Sequence, residues 1–306
     1  MNVSVSFRNE NIVFLLYNFL CPCKRKIFGP FAFLPSLVYI YLNHKSMTEQ
    51  EKRSMKRILL TVAYDGTDFC GWQTQPGKRT VEGELNKALT EMTGKEIAVI
   101  GASRTDSGVH GKGNLASFDY DGPVPADRFY LALNTYLPDD IRVRASEEVK
   151  ADFHPRHCNS KKTYEYTYYC DAVPMPTERR FAAYTFVKPD IEAMNRAAAY
   201  LVGEHDFKSF CCVRTQAEST VRRIISIDVF ARDENHVVIR VTGNGFLYNM
   251  VRIIAGTLLE VGAGRYEPEI VREMLNATDR CAAGKTAPPE GLTLVRIEIP
   301  PEEKYL

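Results

Sequence analysis

The sequence predicts an α+β protein in which the order β-α-β-β-α-β occurs twice. Three observations predict it. Period-two alternation opens each half, at Lys56–Tyr64 and again at Lys162–Cys170. Segments with helical apolar spacing follow in corresponding places. Between the two helices of each half stand two strand-like runs close in sequence. Repeated order of this kind is ferredoxin-like. Two such halves, 55–150 and 151–306, are expected to form one broad, mainly antiparallel sheet with helices on one face and a central cleft.

In the first half, "KRILLTVAYDG" alternates up to Tyr64 and stops at Asp65-Gly66. "TVEGELNKALTEMTG" follows, with Val81, Leu85, Leu89 and Met92 at helical spacing, Thr80 as cap and Gly94 as stop. "EIAVIGA" and "NLASFDY" are strands. "PADRFYLALNTYL" is a helix with Phe129, Leu133 and Tyr136 on one face, and "DIRVRASEEV" closes the half as a strand. The second half runs from the strand "KTYEYTYYC" to the helix "DIEAMNRAAAYLVG". A hairpin, "TVRRIISIDVFAR" with "HVVIRVTGN", turns across Asp233-Glu234-Asn235. The helix "FLYNMVRIIAGTLLEVG", a short helix "PEIVREMLNAT" and the strand "GLTLVRIEI" complete it.

Residues 1–54 read differently. Their apolar runs are broken by Cys-Pro-Cys, Lys24–Lys26, Pro30 and Pro35, and fall short of the roughly 18–20 uninterrupted apolar residues of a membrane span. The basic cluster follows the first apolar run, opposite to a secretory signal. We expect Met55 to be the biological start, with 1–54 a non-native or disordered extension. N-terminal sequencing of the native protein checks this.

The formal net charge of +1 conceals an asymmetry. Residues 1–54 hold seven Lys/Arg against three Asp/Glu, leaving 32 against 35 in the remainder. Such a body is not a general nucleic-acid coat. Any grip on RNA must come from a local basic patch, for which Lys161, Lys162, Arg222, Arg223 and Arg252 are the candidates. The eight cysteines include no C-x-x-C pair, and Pro155 breaks the i, i+3 relation of His154 and His157, so a metal site is not expected. Nucleotide fingerprints, a Ser elbow and H-E-x-x-H are missing from the sequence. Chemistry without cofactor or metal, or binding without chemistry, remains.

"GASRTDSGVH", residues 101–110, sets Arg104, Asp106 and His110 among residues with almost no side chain. A loop Asp is ordinarily a turn former. An alternative is a working carboxylate in a loop cleared for something large. Tyr164, Tyr166 and Tyr168 share one strand face, as core or as a stacking surface for bases, with Lys161 and Lys162 ready for phosphates. Arg252 stands inside an almost wholly apolar helix. A buried guanidinium needs a carboxylate, and Asp106 is the obvious partner.

Five stretches, "YDGTDFCGWQTQ", "SRTDSGVHGKG", "DFHPRHCNSKKTYEYTY", "FLYNMVRIIAGTLLEVG" and "TAPPEGLTLVRI", resemble in order the motifs of TruA-type tRNA pseudouridine synthases. The resemblance spans Lys56 to Pro300. It departs mildly at Ser103 and Ser107, where the family usually has Gly and Ala. It implies isomerisation of uridine to pseudouridine at positions 38, 39 and 40 of the tRNA anticodon stem-loop by a homodimer. That reaction, with no redox change and no external group, needs no cofactor, and the scattered cysteines lead us to expect reduced thiols in the cytoplasm. By the same resemblance Asp106 is the nucleophile and Arg252 its salt-bridge partner. Tyr164, Arg104 and Leu292 contact the substrate by the same resemblance; Lys161, Lys162 and His110 are expected RNA contacts from their positions alone. A non-catalytic RNA-binding protein of this fold, a synthase acting on another RNA and a small-molecule enzyme are the alternatives.

Overall fold

A computed structural model of the chain describes residues 55–213 and 217–305. The expectation for residues 1–54 lies outside the described residues. Strand β1 (Lys56–Tyr64) buries Ile58, Leu60, Val62 and Tyr64 on one face, as its alternation requires. Helix α1 (Val81–Thr93) covers that face with Val81, Leu85, Ala88 and Leu89. Thr80 Oγ1 accepts the Gly83 N–H at its start, and Gly94, at φ 69°, ends it.

Beyond it the first half contracts. Strand β2 keeps only Ile100–Gly101, partly because Asn86 Oδ1 takes the Val99 N–H at 2.9 Å. Strand β3 runs longer than expected, His110–Tyr120. The long helix expected at 125–137 is a single turn at Ala126–Arg128 followed by α2 (Phe129–Leu133). The side chain of Asn134 bonds both the N–H and the C=O of Val143 at 2.8 Å, tying residue 134 to strand β4 (Ile141–Val149) where the helix would continue. Phe129 and Leu133 are buried, whereas Tyr136 is 46% exposed and does not join their face.

The second half contains β5 (Lys161–Cys170), β6 (Ala183–Thr185), α3 (Ile191–Ala199) and β7 (Gly203–Asp206). It continues with β8 (Val221–Ala231), β9 (His236–Gly243), α4 (Met250–Gly262), α5 (Ile270–Asn276), β10 (Leu292–Glu298) and α6 (Pro301–Lys304). Helix α3 ends before Gly203, whose φ of 116° starts a short edge strand. Helix α4 begins at Met250 because Asn249 adopts φ 63°, leaving Phe246 and Leu247 irregular and Tyr248–Asn249 as a turn.

The main path of the sheet is β4-β1-β3-β10-β5-β9-β8-β7, with β2 paired to β3 and β6 to β5. Within it β4-β1-β3-β2 and β10-β5-β9-β8 repeat one antiparallel order. Both run in the same direction, and crossovers of one hand then put the helices on one side. The seam has a different character. Strand β10 lies parallel to β3 at Thr293↔His110 and Leu294↔Gly111, while β2 pairs the same edge further along at Ile100↔Ser117 and Gly101↔Ala116. Two strands thus share one edge of β3, and the loop 102–109 emerges where they diverge.

Candidate active site

The loop 102–109 is fixed nearly atom by atom. Trp72 N–H donates to Thr105 O at 3.0 Å, and Val109 N–H to Asp106 O at 3.1 Å. Asn114 Nδ2 donates to Ser103 O at 2.9 Å, and the Tyr64 and Thr105 hydroxyls pair at 2.9 Å. Ser107 Oγ donates to Phe69 O, while Ser103 Oγ pairs with the Tyr164 hydroxyl at 2.7 Å. A loop with its backbone groups satisfied in this way has little freedom to relax.

Two glycines of this stretch, Gly101 and Gly108, serve internal packing more directly than substrate space. A Cβ on Gly101 would stand 2.2 Å from Trp72 Nε1. Gly108 holds φ 78° with Pro289 Cγ 2.9 Å from the place of its missing Cβ. Glycine here lets an indole and a proline approach the backbone, which corrects the reading of Gly101 and Gly108 as clearing space for something large, while Ala102, Ser103 and Ser107 do line the cavity.

Asp106 faces a cavity of about 850 Å³. The Arg252 guanidinium approaches its Oδ2 at 3.5 Å, and both side chains are largely buried, 15% and 19% exposed. Arg252 is also held by Ala287 O at 2.8 Å and Asn249 Oδ1 at 3.0 Å, so its charge has partners besides the carboxylate. Burial raises the Asp106 pKa above the ordinary carboxylate value, and Arg252 opposes that rise without cancelling it. The ionised form is therefore held at a cost, as befits a group waiting for substrate.

Tyr164 lines the same cavity, 6% exposed, with its ring edge-on to Phe246 at 5.2 Å. Burial pushes its phenol up to about 12, so it stays protonated at neutral pH. Leu292, also 6% exposed, contributes an apolar wall, and Arg104 lies exposed at the rim, 3.3 Å from Gln73 Oε1. These residues, with Asp106, are brought together. Three tyrosines do not make one stacking surface. Tyr166 hydrogen-bonds Pro288 O and is fully buried, and Tyr168 is buried too, so Tyr164 alone of them lines the cavity.

The expected RNA contacts also divide. Lys161 is exposed and outside the cavity lining, while Lys162 turns inward and donates to Ala102 O at 2.9 Å. His110 is 3% exposed and faces away from the cavity, its Nδ1 accepting the Gly66 N–H with Asp65 Oδ1 at 3.3 Å. It offers no surface to RNA. Desolvation lowers its pKa below 6.5 in spite of Asp65. Sequence reasoning passed over Arg156, which sits between the two histidines of "FHPRH" and donates to Gly101 O, and Trp72, the only tryptophan of the chain. The solitary Trp within a motif was the available signal for the second.

Among the described residues lining the cavity, Arg104, Arg156, Lys162 and Arg222 are basic, Arg156 and Lys162 being turned onto the carbonyls of Gly101 and Ala102, and only Asp106 is acidic. Trp72, Tyr164, Phe246 and Tyr248 interleave with them. A concave basic surface with aromatic faces around one partly desolvated carboxylate defines an enzyme for a polyanion that carries flat bases. Comparison with known proteins makes this specific. The family described as tRNA pseudouridine synthase matches residues 60–157 and 197–300. The chain is 44% identical over 243 residues to tRNA pseudouridine synthase A of Caldicellulosiruptor bescii, covering 79% of this chain and 99% of that one. It is 47% identical over 240 residues to the Brevibacillus brevis protein of the same name, covering 78% and 98%. A solved Cbf5-Nop10-Gar1 complex is a distant likeness at 14% identity and a TM-score of 0.29, over 70% of this chain and 55% of that one, and carries no argument. The chain belongs to the tRNA pseudouridine synthase family, isomerases acting on tRNA.

Proposed function

We propose that this chain isomerises uridine to pseudouridine at positions 38, 39 and 40 of the tRNA anticodon stem-loop, with Asp106 as the reacting carboxylate. The observation that carries the reading is Asp106 itself, the one acidic group among the described lining residues, desolvated and 3.5 Å from Arg252. The reaction breaks the bond from C1′ to N1, turns the uracil and joins C1′ to C5, whose hydrogen leaves as a proton while N1 gains one. Nothing is oxidised and no external group is transferred. Ionised Asp106 opens the reaction as nucleophile, or by taking a sugar proton. Its raised pKa makes it a better base and nucleophile than a solvated carboxylate, and Arg252 keeps enough of it ionised.

Tyr164 and Leu292 supply the faces between which an extruded uracil would rest, offsetting part of the roughly few-kcal/mol unstacking penalty. Arg104 at the rim, with Arg222 inside, supports a grip on the flanking phosphates. A homodimer in the cytoplasm completes the proposal. No helix among the described residues is long and apolar enough to cross a membrane, and Cys70, Cys158, Cys170, Cys211, Cys212 and Cys281 are unpaired thiols, which suits a reducing compartment. Sedimentation equilibrium tests the dimer.

Mapping pseudouridine in unmodified tRNA transcripts by adduct-dependent primer-extension stops tests the substrate position. Stops at 38–40, lost when those uridines are replaced by cytidine, are expected. Stops confined to the acceptor or D arm would overturn the assignment.

A further inference from the structure

Three consecutive carbonyls lead into the Asp106 loop, and each is held by a side chain. Asn114 holds Ser103 O from within the first half. The other two donors belong to β5 and the segment preceding it. Arg156 Nε donates to Gly101 O at 2.8 Å, and Lys162 Nζ donates to Ala102 O at 2.9 Å. Two residues along β5, on the same face, the Tyr164 hydroxyl meets Ser103 Oγ at 2.7 Å. Alternate residues of one strand therefore fix successive residues of the loop.

A lysine that serves only to bind phosphate leaves its ammonium in water, where its four-carbon stem is free to follow the ligand. Lys161 fits that description, exposed on the opposite face of the strand. Lys162 does not. Its ammonium is turned inward on a backbone oxygen, and burial pulls its pKa down to about 8. A charged donor on a carbonyl is about twice as strong as a neutral one. It acts on Ala102, four residues before Asp106, at the point where β2 ends and β10 takes over the edge of β3.

We propose that Lys162, with Arg156 beside it, is a positioning residue that ties the Asp106 loop to the strand carrying Tyr164. The carboxylate from one half and the tyrosine from the other are thereby held in register across the seam. Loss of the tie leaves Arg104 and Arg222 in place in the basic lining and lets the carboxylate drift. A displacement of about 1 Å at a reacting group costs on the order of a hundredfold in rate. The proposal rests on the reading of Asp106 as the reacting carboxylate.

The test compares wild type with Lys162→Met and Lys162→Gln, the second retaining a neutral donor. Single-turnover rate, Kd for an unmodified tRNA transcript across salt, and amide exchange at residues 103–106 are measured. The Met variant is expected to lose about tenfold to a hundredfold in rate with Kd within about twofold. Its salt slope should be unchanged, its loop amides should exchange faster, and the Gln variant should recover part of both losses. A retained rate with weakened Kd and a salt slope reduced by about 0.7–0.9 would make Lys162 a phosphate contact and overturn the proposal. Unchanged rate and exchange would overturn it equally. If Lys162→Met does not fold, the Gln variant decides on the same readouts. A wild type that forms no pseudouridine defeats the proposed function, while the exchange comparison still decides whether Lys162 holds the loop.

Discussion

The connection between the second and third strands occurs twice in this molecule, once in each half, and both copies carry an aspartate. In the second half β8 and β9 are full strands, and Asp233-Glu234-Asn235 turns between them. Asp233 is half-exposed and does local work, accepting the N–H groups of Asn235 at 3.0 Å and His236 at 2.9 Å. Its pKa falls below the usual carboxylate value, chiefly through the bond to the His236 side chain. In the first half β2 stops at Gly101, and β10 takes the edge of β3 beyond it. Asp106 is left beside Arg252 at the wall of a cavity, and burial moves its pKa up. The same residue type in the same topological place is a turn former in one copy and a poised group in the other. What separates them is how far the sheet continues beneath them.

The comparison is broken most severely by exchanging the carboxylates for amides. Asp106→Asn should reduce turnover about 10⁴-fold or more while Tm stays within about 2 °C of wild type, since a desolvated charge is removed. Asp233→Asn should do the reverse, leaving turnover within about twofold and lowering Tm by a few degrees. Thermal melts beside turnover measurements check both.

A smaller effect is expected at Arg252. Arg252→Met should cost about 10²–10³-fold in kcat. It should also move the acid limb of the pH profile to higher pH, because the remaining influence on Asp106 is the burial that already raises its pKa. A limb that stays in place would show that Arg252 does not act on the ionisation of Asp106.

Smaller again is Gly101→Ala, whose new Cβ would lie 2.2 Å from Trp72 Nε1. Roughly 1–3 kcal/mol of stability should be lost to overpacking, and the emission of the single tryptophan should shift. The smallest expected effect is at His110. Its folded pKa is depressed, so its contribution to stability is complete above 6.5 and is lost as pH falls below that value. Denaturation midpoints from pH 7.5 to 5.5 should fall in wild type and fall less in His110→Gln.

Much of this was legible in the sequence, for physical reasons that differ by residue. Alternation put Tyr164, Tyr166 and Tyr168 on one face, because the period of a strand is local. The cost of an unpaired charge in an apolar helix pointed from Arg252 to a carboxylate, and the structure sets the two 3.5 Å apart. Which tyrosine would line the cavity was not legible, since Pro288 takes the Tyr166 hydroxyl from more than a hundred residues away. The shortening of β2 was hidden for the same reason, as the Asn86 side chain, in helix α1, takes the Val99 N–H that the strand would have used. Local signals overstated α2, where a single asparagine stitched to β4 displaces the second half of the helix. The lysine pair shows the limit most clearly. Neighbours in sequence, Lys161 and Lys162 point to opposite faces, one into solvent and one onto a carbonyl.

The measurement that bears most directly on the central claim is tritium release from an anticodon stem-loop transcript labelled at uridine C5, with wild type and Asp106→Ala side by side. Formation of the C1′–C5 bond expels that hydrogen. Release by the wild type and its loss in the variant, at equal RNA binding, is the predicted result. Release that survives in the variant would contradict the account, because the reacting carboxylate would then lie elsewhere.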